Sequence, residues 1–155
     1  GVYKLVALKK DGRYEPVIKL SNNPDKVTNP GRKELYRLVN RKSGKAEAGY
    51  LAMVDEEDVR KGERIRIFDP LHPYLSKHLD DYEAIPLLRP VFANGEQVYE
   101  LPTLEEIRAY HEKQIQLFWP QYLRKLNPEV FRVSLSDKLW KLKSDLIHQH
   151  QQFRS

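Results

Sequence analysis

Three turn signals constrain the first two thirds of this chain more than any other feature. Asp11-Gly12, Lys42-Ser43-Gly44 and Asn94-Gly95 each lie between short segments rich in β-branched and aromatic residues. Glycine, aspartate and asparagine at such positions supply the positive φ angles that tight hairpin loops require. VYKLVALK and YEPVIKL therefore form one hairpin, ELYRLVNR and KAEAGYLAMV a second, and LLRPVFA and EQVYEL a third. Between the second and the third, RIRIF alternates charged and apolar residues with the two-residue period of a half-buried strand. The run FDPLHPYLSKHLDDYEAIP carries three prolines and no sustained period, so it reads as an irregular connection with at most one helical turn.

The last third changes character. Thr103-Leu104-Glu105-Glu106, just after Pro102, is a capping box that starts a helix. Leu104, Ile107, His111, Ile115 and Phe118 recur at helical spacing and are expected to form one buried stripe. Pro120 kinks this helix or begins another, which runs through Tyr122, Leu123 and Leu126 until Asn127-Pro128 stops it. A final helix is expected from near Ser134, with Asp137 at the matching cap offset and Leu135, Leu139, Leu142 and Leu146 on one face. The expected class is α+β: an antiparallel sheet or small barrel of about six to seven strands, followed by two to three helices.

At 155 residues, 40% of them hydrophobic and 32% charged, the chain can own a core of domain size. It has no cysteine, which excludes disulfides and thiolate metal sites and fits a reducing cytoplasm. No apolar run approaches a membrane span, and no secretory segment opens the sequence. Strand-like sequence begins at residue 2 without an initiator methionine, so the chain reads as trimmed or as a piece of something longer.

Most catalytic signatures are missing: there is no glycine-rich phosphate loop, no G-x-S-x-G elbow and no H-E-x-x-H. His72, His78, His111, His148 and His150 do not converge by spacing on a metal, and each reads as a core, boundary or surface group. The acidic DEED, Asp55 to Asp58, and the Asp80-Asp81 pair could hold Mg²⁺ beside a phosphate, although a solvated turn of alternating charge is the simpler reading. Tyr36, Tyr50, Phe68, Phe92 and Tyr99 could stack bases if they shared an exposed sheet face, but strands favour aromatic residues for packing alone. A net charge of +5, spread along the chain, does not by itself call for nucleic acid.

One segment stands apart. KLSNNPDKVTNPGRK, Lys19 to Lys33, holds four basic side chains, two prolines and few residues that would join a core. Lys19 ends a strand whose neighbours Ile18 and Leu20 face the other way, so its direction is fixed. Lys26 follows Pro24, and Arg32-Lys33 follow Pro30-Gly31, a pair that stiffens and turns the backbone. A braced loop with cations at both ends presents point charges with little entropy left to lose on meeting a phosphate. On the residues alone, a loop kept in water by its charges is the simpler account.

A resemblance changes that balance. GVYKLVAL, then PVIKLSNNPDKVTNPGRKELYRL, then VSLSDKLWKLKSDLI resemble the C-terminal part of nicotinate phosphoribosyltransferase, from Gly1 to about Gln149. The run from Val17 to Arg37 is the most specific part, joining V-x-K-L-S, N-P-x-K-x-T-x-P-G and a following Y-R-L strand. The resemblance implies an enzyme of NAD salvage that joins nicotinate to phosphoribosyl pyrophosphate, with ATP hydrolysis and Mg²⁺ assisting in the complete protein. It also implies that Lys19 and Lys26 lie near phosphates, Lys26 less securely because the spacing differs by one residue from related nicotinamide-using enzymes. Arg32 and Lys33 are weaker candidates for the same phosphate or diphosphate. No catalytic residue and no metal ligand carries over to this segment, which by itself binds no cofactor and should not turn over.

The expected division is residues 1–40 as strands and basic loop belonging to or bordering the catalytic body, and 41–155 as an accessory domain, strands then helices. The implied partner is the catalytic barrel of the same cytoplasmic enzyme, with a homodimer allowed and no membrane. Two other classes stay open at this point: a free-standing basic β-barrel that binds single-stranded nucleic acid, and a structural domain whose first strand pairs with another chain.

Overall fold

A computed structural model describes residues 3–23 and 26–152. The proline at position 24, counted above as one brace of the basic loop, and residues 1 and 2 of the expected first strand lie outside the described residues.

The first two hairpins form at the expected turns, but the first is short: its second strand stops at Pro16, so Lys19 does not end a strand and its backbone is held instead by a hydrogen bond to Thr28. Ala7–Lys10 (β1) pairs antiparallel with Arg13–Pro16 (β2), and Asp11 and Gly12 between them take φ of 48° and 78°. Two successive positive φ values give a primed turn, whose twist matches that of the strands. Lys33–Asn40 (β3) pairs with Ala46–Met53 (β4), placing Tyr36 opposite Tyr50 and Leu38 opposite Ala48. Asn40 closes that turn with its own side chain, Oδ1 accepting from the amides of Lys42 and Ser43 at 2.9 and 3.0 Å.

Several sequence expectations are corrected in the middle of the chain and at its end. The run from Phe68 to Pro86 is not an irregular connection, because its residues supply two strands. After the one-turn helix Asp58–Lys61 (α1) and the strand Ile65–Asp69 (β5), His72–Leu79 (β6) pairs antiparallel with β5, and Tyr82–Pro86 (β7) pairs antiparallel with β3. β6 is exposed at seven of its eight positions, so no inside-outside alternation marks it in the sequence. The Asn94-Gly95 hairpin has only two residues on each side, Phe92–Ala93 (β8) and Glu96–Gln97 (β9).

The helix Leu104–Ile115 (α2) carries the expected capping box: Thr103 Oγ1 accepts from the Glu106 amide at 3.3 Å, and Glu106 Oε2 accepts from the Thr103 amide at 2.7 Å. Its apolar stripe, however, is not buried; Leu104, Ile107 and Ile115 are exposed, and so is His111. Pro120–Leu123 (α3) starts at the proline as one of the two readings allowed, but ends before Leu126, which is exposed. Val133–Leu135 (β10) is a strand rather than the start of the final helix, and it runs parallel to β4. The helix itself is Asp137–Gln152 (α4), capped by Ser136, whose Oγ accepts from the Leu139 amide at 3.1 Å.

The α+β class holds, and the strands form open sheets rather than a barrel. The main sheet has the order β10-β4-β3-β7, antiparallel except at the β10 edge. Ten strands occur among the described residues, several of them only two to four residues long, roughly consistent with the six to seven expected. Tyr36, Leu38, Ala48, Tyr50 and Ala52 line one sheet face and pack against Val59, Ile65, Ile67 and Leu79 from α1, β5 and β6. A second cluster joins Phe68, Leu135 and Leu139, with Trp140 set edge-on to Phe68 at 5.5 Å between ring centres. No helix among the described residues is long and apolar enough to cross a membrane.

Candidate functional site

The basic bend is held at its base by two hydrogen bonds between the same two residues. The Lys19 amide donates to Thr28 Oγ1 at 2.8 Å, and the Thr28 amide donates to the Lys19 carbonyl at 3.2 Å. Thr28 is buried, so this clamp works away from competing water. Inside the bend the Lys26 amide donates to the Asn23 carbonyl at 3.0 Å, and the Asn23 amide donates to Ser21 Oγ at 3.2 Å. These local bonds fix where the backbone of Lys19 and of Lys26 sits.

The far side of the bend is docked on the domain. Pro30 is fully buried, and Gly31 follows at φ +81°, where an added Cβ would come within 2.6 Å of Met53 Cε. Only glycine satisfies both the left-handed backbone and the close approach without displacing Met53. Lys143 reaches over from α4 and donates to Asn29 Oδ1 at 2.9 Å. A groove of about 260 Å³ runs between the bend and the end of α4, lined by Leu20, Ser21, Asn22, Val27, Ile147 and His150.

The four predicted cations have different fates. Lys19 and Lys26 are exposed, and no carboxylate pairs with either ammonium among the described residues. Arg32 lies over the Tyr14 ring, 4.5 Å from its centre, so the β1–β2 hairpin steers it. Lys33 is half-buried and folds back to donate to the Gly31 carbonyl, and burial lowers its pKa from the usual lysine range. The bend thus brings all four into one segment, and the Lys19 and Lys26 side chains are exposed with no ion-pair partner among the described residues.

Thr28, Asn29, Lys143 and Tyr14 were not singled out from the sequence. Lys143 had a signal: it lies four residues after Leu139, on the helix face that turns to the core. Its pKa is likewise lowered by burial. Thr28 and Asn29 carried no signal beyond membership of a polar loop.

The other candidates are absorbed by the fold. Glu56 Oε1 accepts from the Met53 amide and from Ser136 Oγ, each at 2.6 Å, while Asp55 pairs with Lys138 at 2.7 Å and Glu57 with Lys61 at 2.7 Å. Asp80 and Asp81 pair with Arg64 and Arg41. His72 lies 3.0 Å from Asp69, and His148 Nδ1 lies 2.8 Å from the Ser144 carbonyl. Among the described residues no group of three or more histidines and carboxylates is placed to hold a metal ion. Tyr36, Tyr50 and Phe68 are buried, so they offer no stacking face to a nucleic-acid strand.

Comparison with known proteins fits this architecture. Residues 32–143 match the family model described as the nicotinate phosphoribosyltransferase C-terminal domain. Nicotinate phosphoribosyltransferase of Bacillus subtilis is 38% identical over 148 residues, covering 96% of this chain and 30% of that protein. The human protein of the same name is 30% identical over 148 residues, covering 94% of this chain and 26% of that protein. The crystal structure of human nicotinic acid phosphoribosyltransferase superimposes with a TM-score of 0.68 at 27% identity, over 77% of this chain and 24% of that one. The solved neighbour is a phosphoribosyltransferase, and the shared α+β domain is one portion of it. This chain belongs to the nicotinate phosphoribosyltransferase C-terminal domain family. It spans less than a third of the length of these relatives.

Proposed function

We propose that this chain is the C-terminal part of a cytoplasmic enzyme that joins nicotinate to phosphoribosyl pyrophosphate, forming nicotinate mononucleotide and diphosphate for NAD salvage. Residues 1–40 belong to or border its catalytic body and 41–155 form the accessory domain, with the β3–β4 hairpin straddling the two. In such a reaction positive charge develops on the ribose as a highly charged diphosphate leaves, so fixed cations near the departing oxygens are worth most. On this reading Lys19 and Lys26 take that role. The single observation that supports it is the Lys19–Thr28 clamp in a bend whose Lys19 and Lys26 side chains are exposed. Pre-ordered backbone reduces the entropy lost when the cations meet an anion.

Arg32 is a secondary contributor, already seated on Tyr14, and Lys33 chiefly braces the bend through Gly31. Mg²⁺ and ATP belong to the complete enzyme on this reading. Among the described residues no three carboxylates or histidines converge, and no step of the chemistry is routed through the ion. The chain alone is not expected to turn over.

The test uses the complete enzyme. Lys19→Ala should lower kcat/KM for phosphoribosyl pyrophosphate by about ten- to a hundred-fold, the range of a lost charge-assisted hydrogen bond, and weaken diphosphate inhibition without moving Tm. Unchanged kinetics would remove Lys19 from the site. A lowered Tm with full activity per folded molecule would make it structural.

A further inference from the structure

The helix α2 and the β8–β9 hairpin form an arm whose apolar surface nothing in the described residues covers. Val91, Phe92, Leu101, Leu104, Ile107 and Tyr110 are all exposed there, Leu101 by 80% and Phe92 by 66%. Single exposed apolar residues are ordinary, but a contiguous set on adjoining elements marks a contact surface. Between hairpin and helix lies a groove of about 490 Å³, with Val91, Pro102, Ile107 and Tyr110 along its walls and Arg89 and Glu106 at its polar edge.

The arm is also too slight to stand alone. A helix of 12 residues is marginal in water however well it is capped, and a hairpin with two residues per strand is weaker still. α2 is tied to the sheet near its C-terminal end, where Arg37 donates to Gln114, Lys45 Nζ donates to the Gln116 carbonyl at 2.7 Å and the Ala46 amide donates to the Leu117 carbonyl at 2.7 Å. It buries none of its residues.

We infer that this arm is a docking surface for the portion of the same polypeptide that lies outside the family domain. Three observations select that occupant. The region aligned with the Bacillus subtilis relative is 30% of that protein, so more than two thirds of its length is available to cover the arm. The arm itself lies within the residues matched by the family model, so it is part of the shared domain rather than an addition to it. Its helix carries Glu105, Glu106 and Glu112 against Arg108 and Lys113, a mixed rim suited to a protein surface and not to a phosphate-rich strand or an anionic membrane. Covering by a tethered segment also avoids the rotational and translational loss of recruiting a separate molecule.

This inference rests on the reading of the chain as part of a longer enzyme, and its test is independent of kinetics. In the complete enzyme, p-benzoylphenylalanine in place of Ile107, and separately of Leu104, is irradiated and the products are sized and mapped. The expected product keeps the mass of one polypeptide and links α2 to a residue outside the present 155. A product of twice that mass would assign the arm to a second copy and overturn the inference, as would a link confined to these 155 residues. Hydrogen exchange on the unmodified enzyme guards against a local disturbance by the probe. α2 amides slowed about a hundred-fold or more over free-peptide rates are expected, and exchange at free-peptide rates would show the arm facing solvent. Cross-links as expected in an enzyme indifferent to Lys19→Ala would keep the docking surface and discard the phosphate role.

Discussion

Lys19 and Thr28, nine residues apart, bind each other through both of their backbones and one hydroxyl, so that the loop between them closes on itself. The hydroxyl is the replaceable half of that closure. Thr28→Val keeps the shape but leaves the Lys19 amide without its acceptor, which should cost about 1–3 kcal/mol for a partly buried donor. Denaturant titration measures the loss. On the proposed role for Lys19, kcat/KM for phosphoribosyl pyrophosphate should fall in the same variant at temperatures where it remains folded.

Gly31→Ala tests the dock on the other side of the bend. The left-handed backbone costs about 1–2 kcal/mol for a residue with a Cβ, and the new methyl group also displaces the end of Met53. Pairing it with Met53→Ala removes the steric part and leaves the backbone part. Calorimetry of the single and double variants should therefore show a coupling between the two positions.

Leu139→Ala should be the most damaging of these substitutions, at about 2–5 kcal/mol. Leu139 is fully buried and joins α4 to Phe68 and Leu135. The helix also supplies Lys143, so activity of the complete enzyme should fall with the loss of α4 amide protection, which hydrogen exchange measures.

Alkaline pH provides a fourth test. Burial pushes the Tyr82 hydroxyl up to about 12, and that hydroxyl donates to the Glu63 carbonyl at 2.7 Å. The unfolded group ionises near 10. Because the folded state holds this proton longer, its contribution is fully present below pH 10 and is lost as pH rises from 10 through about 12. Tyr50 shifts in the same direction through burial, whereas Lys33 and Lys143, lowered by burial, add stability as pH approaches the usual lysine value of 10.5. Tyr82→Phe should flatten the decline between pH 10 and 12 while lowering stability at neutral pH, as followed by circular dichroism.

The parts of this fold that could be read from the sequence were those fixed by local chemistry. Asp11-Gly12 needs no partner outside its own turn to specify a hairpin, and Thr103 with Glu106 specifies a helix start in the same way. β6 was missed because seven exposed positions leave no pattern to find. β10 was missed because Val133-Ser134-Leu135 pairs with β4, more than 80 residues away, and because the offset from Ser134 to Asp137 imitates a cap that Ser136 in fact provides. The stripe on α2 was real, but periodicity reports an amphipathic face and cannot report whether anything sits on it. At the candidate site the cations were visible as residue types. Their sorting into exposed tips, a ring-stacked guanidinium and a folded-back ammonium depended on Tyr14, Thr28 and Gly31, whose roles exist only once the chain is closed.

One acceptor deserves its own consequence. The Val6 carbonyl takes hydrogen bonds from two amides, Val17 at 2.9 Å and Gly31 at 2.7 Å. The segment entering β1, the exit from β2 and the elbow of the basic bend therefore pivot on one oxygen atom. Because two amides share that acceptor, displacing Val6 would strain the hydrogen bonds of Val17 and Gly31 together, so the first hairpin and the bend are coupled at a single backbone atom.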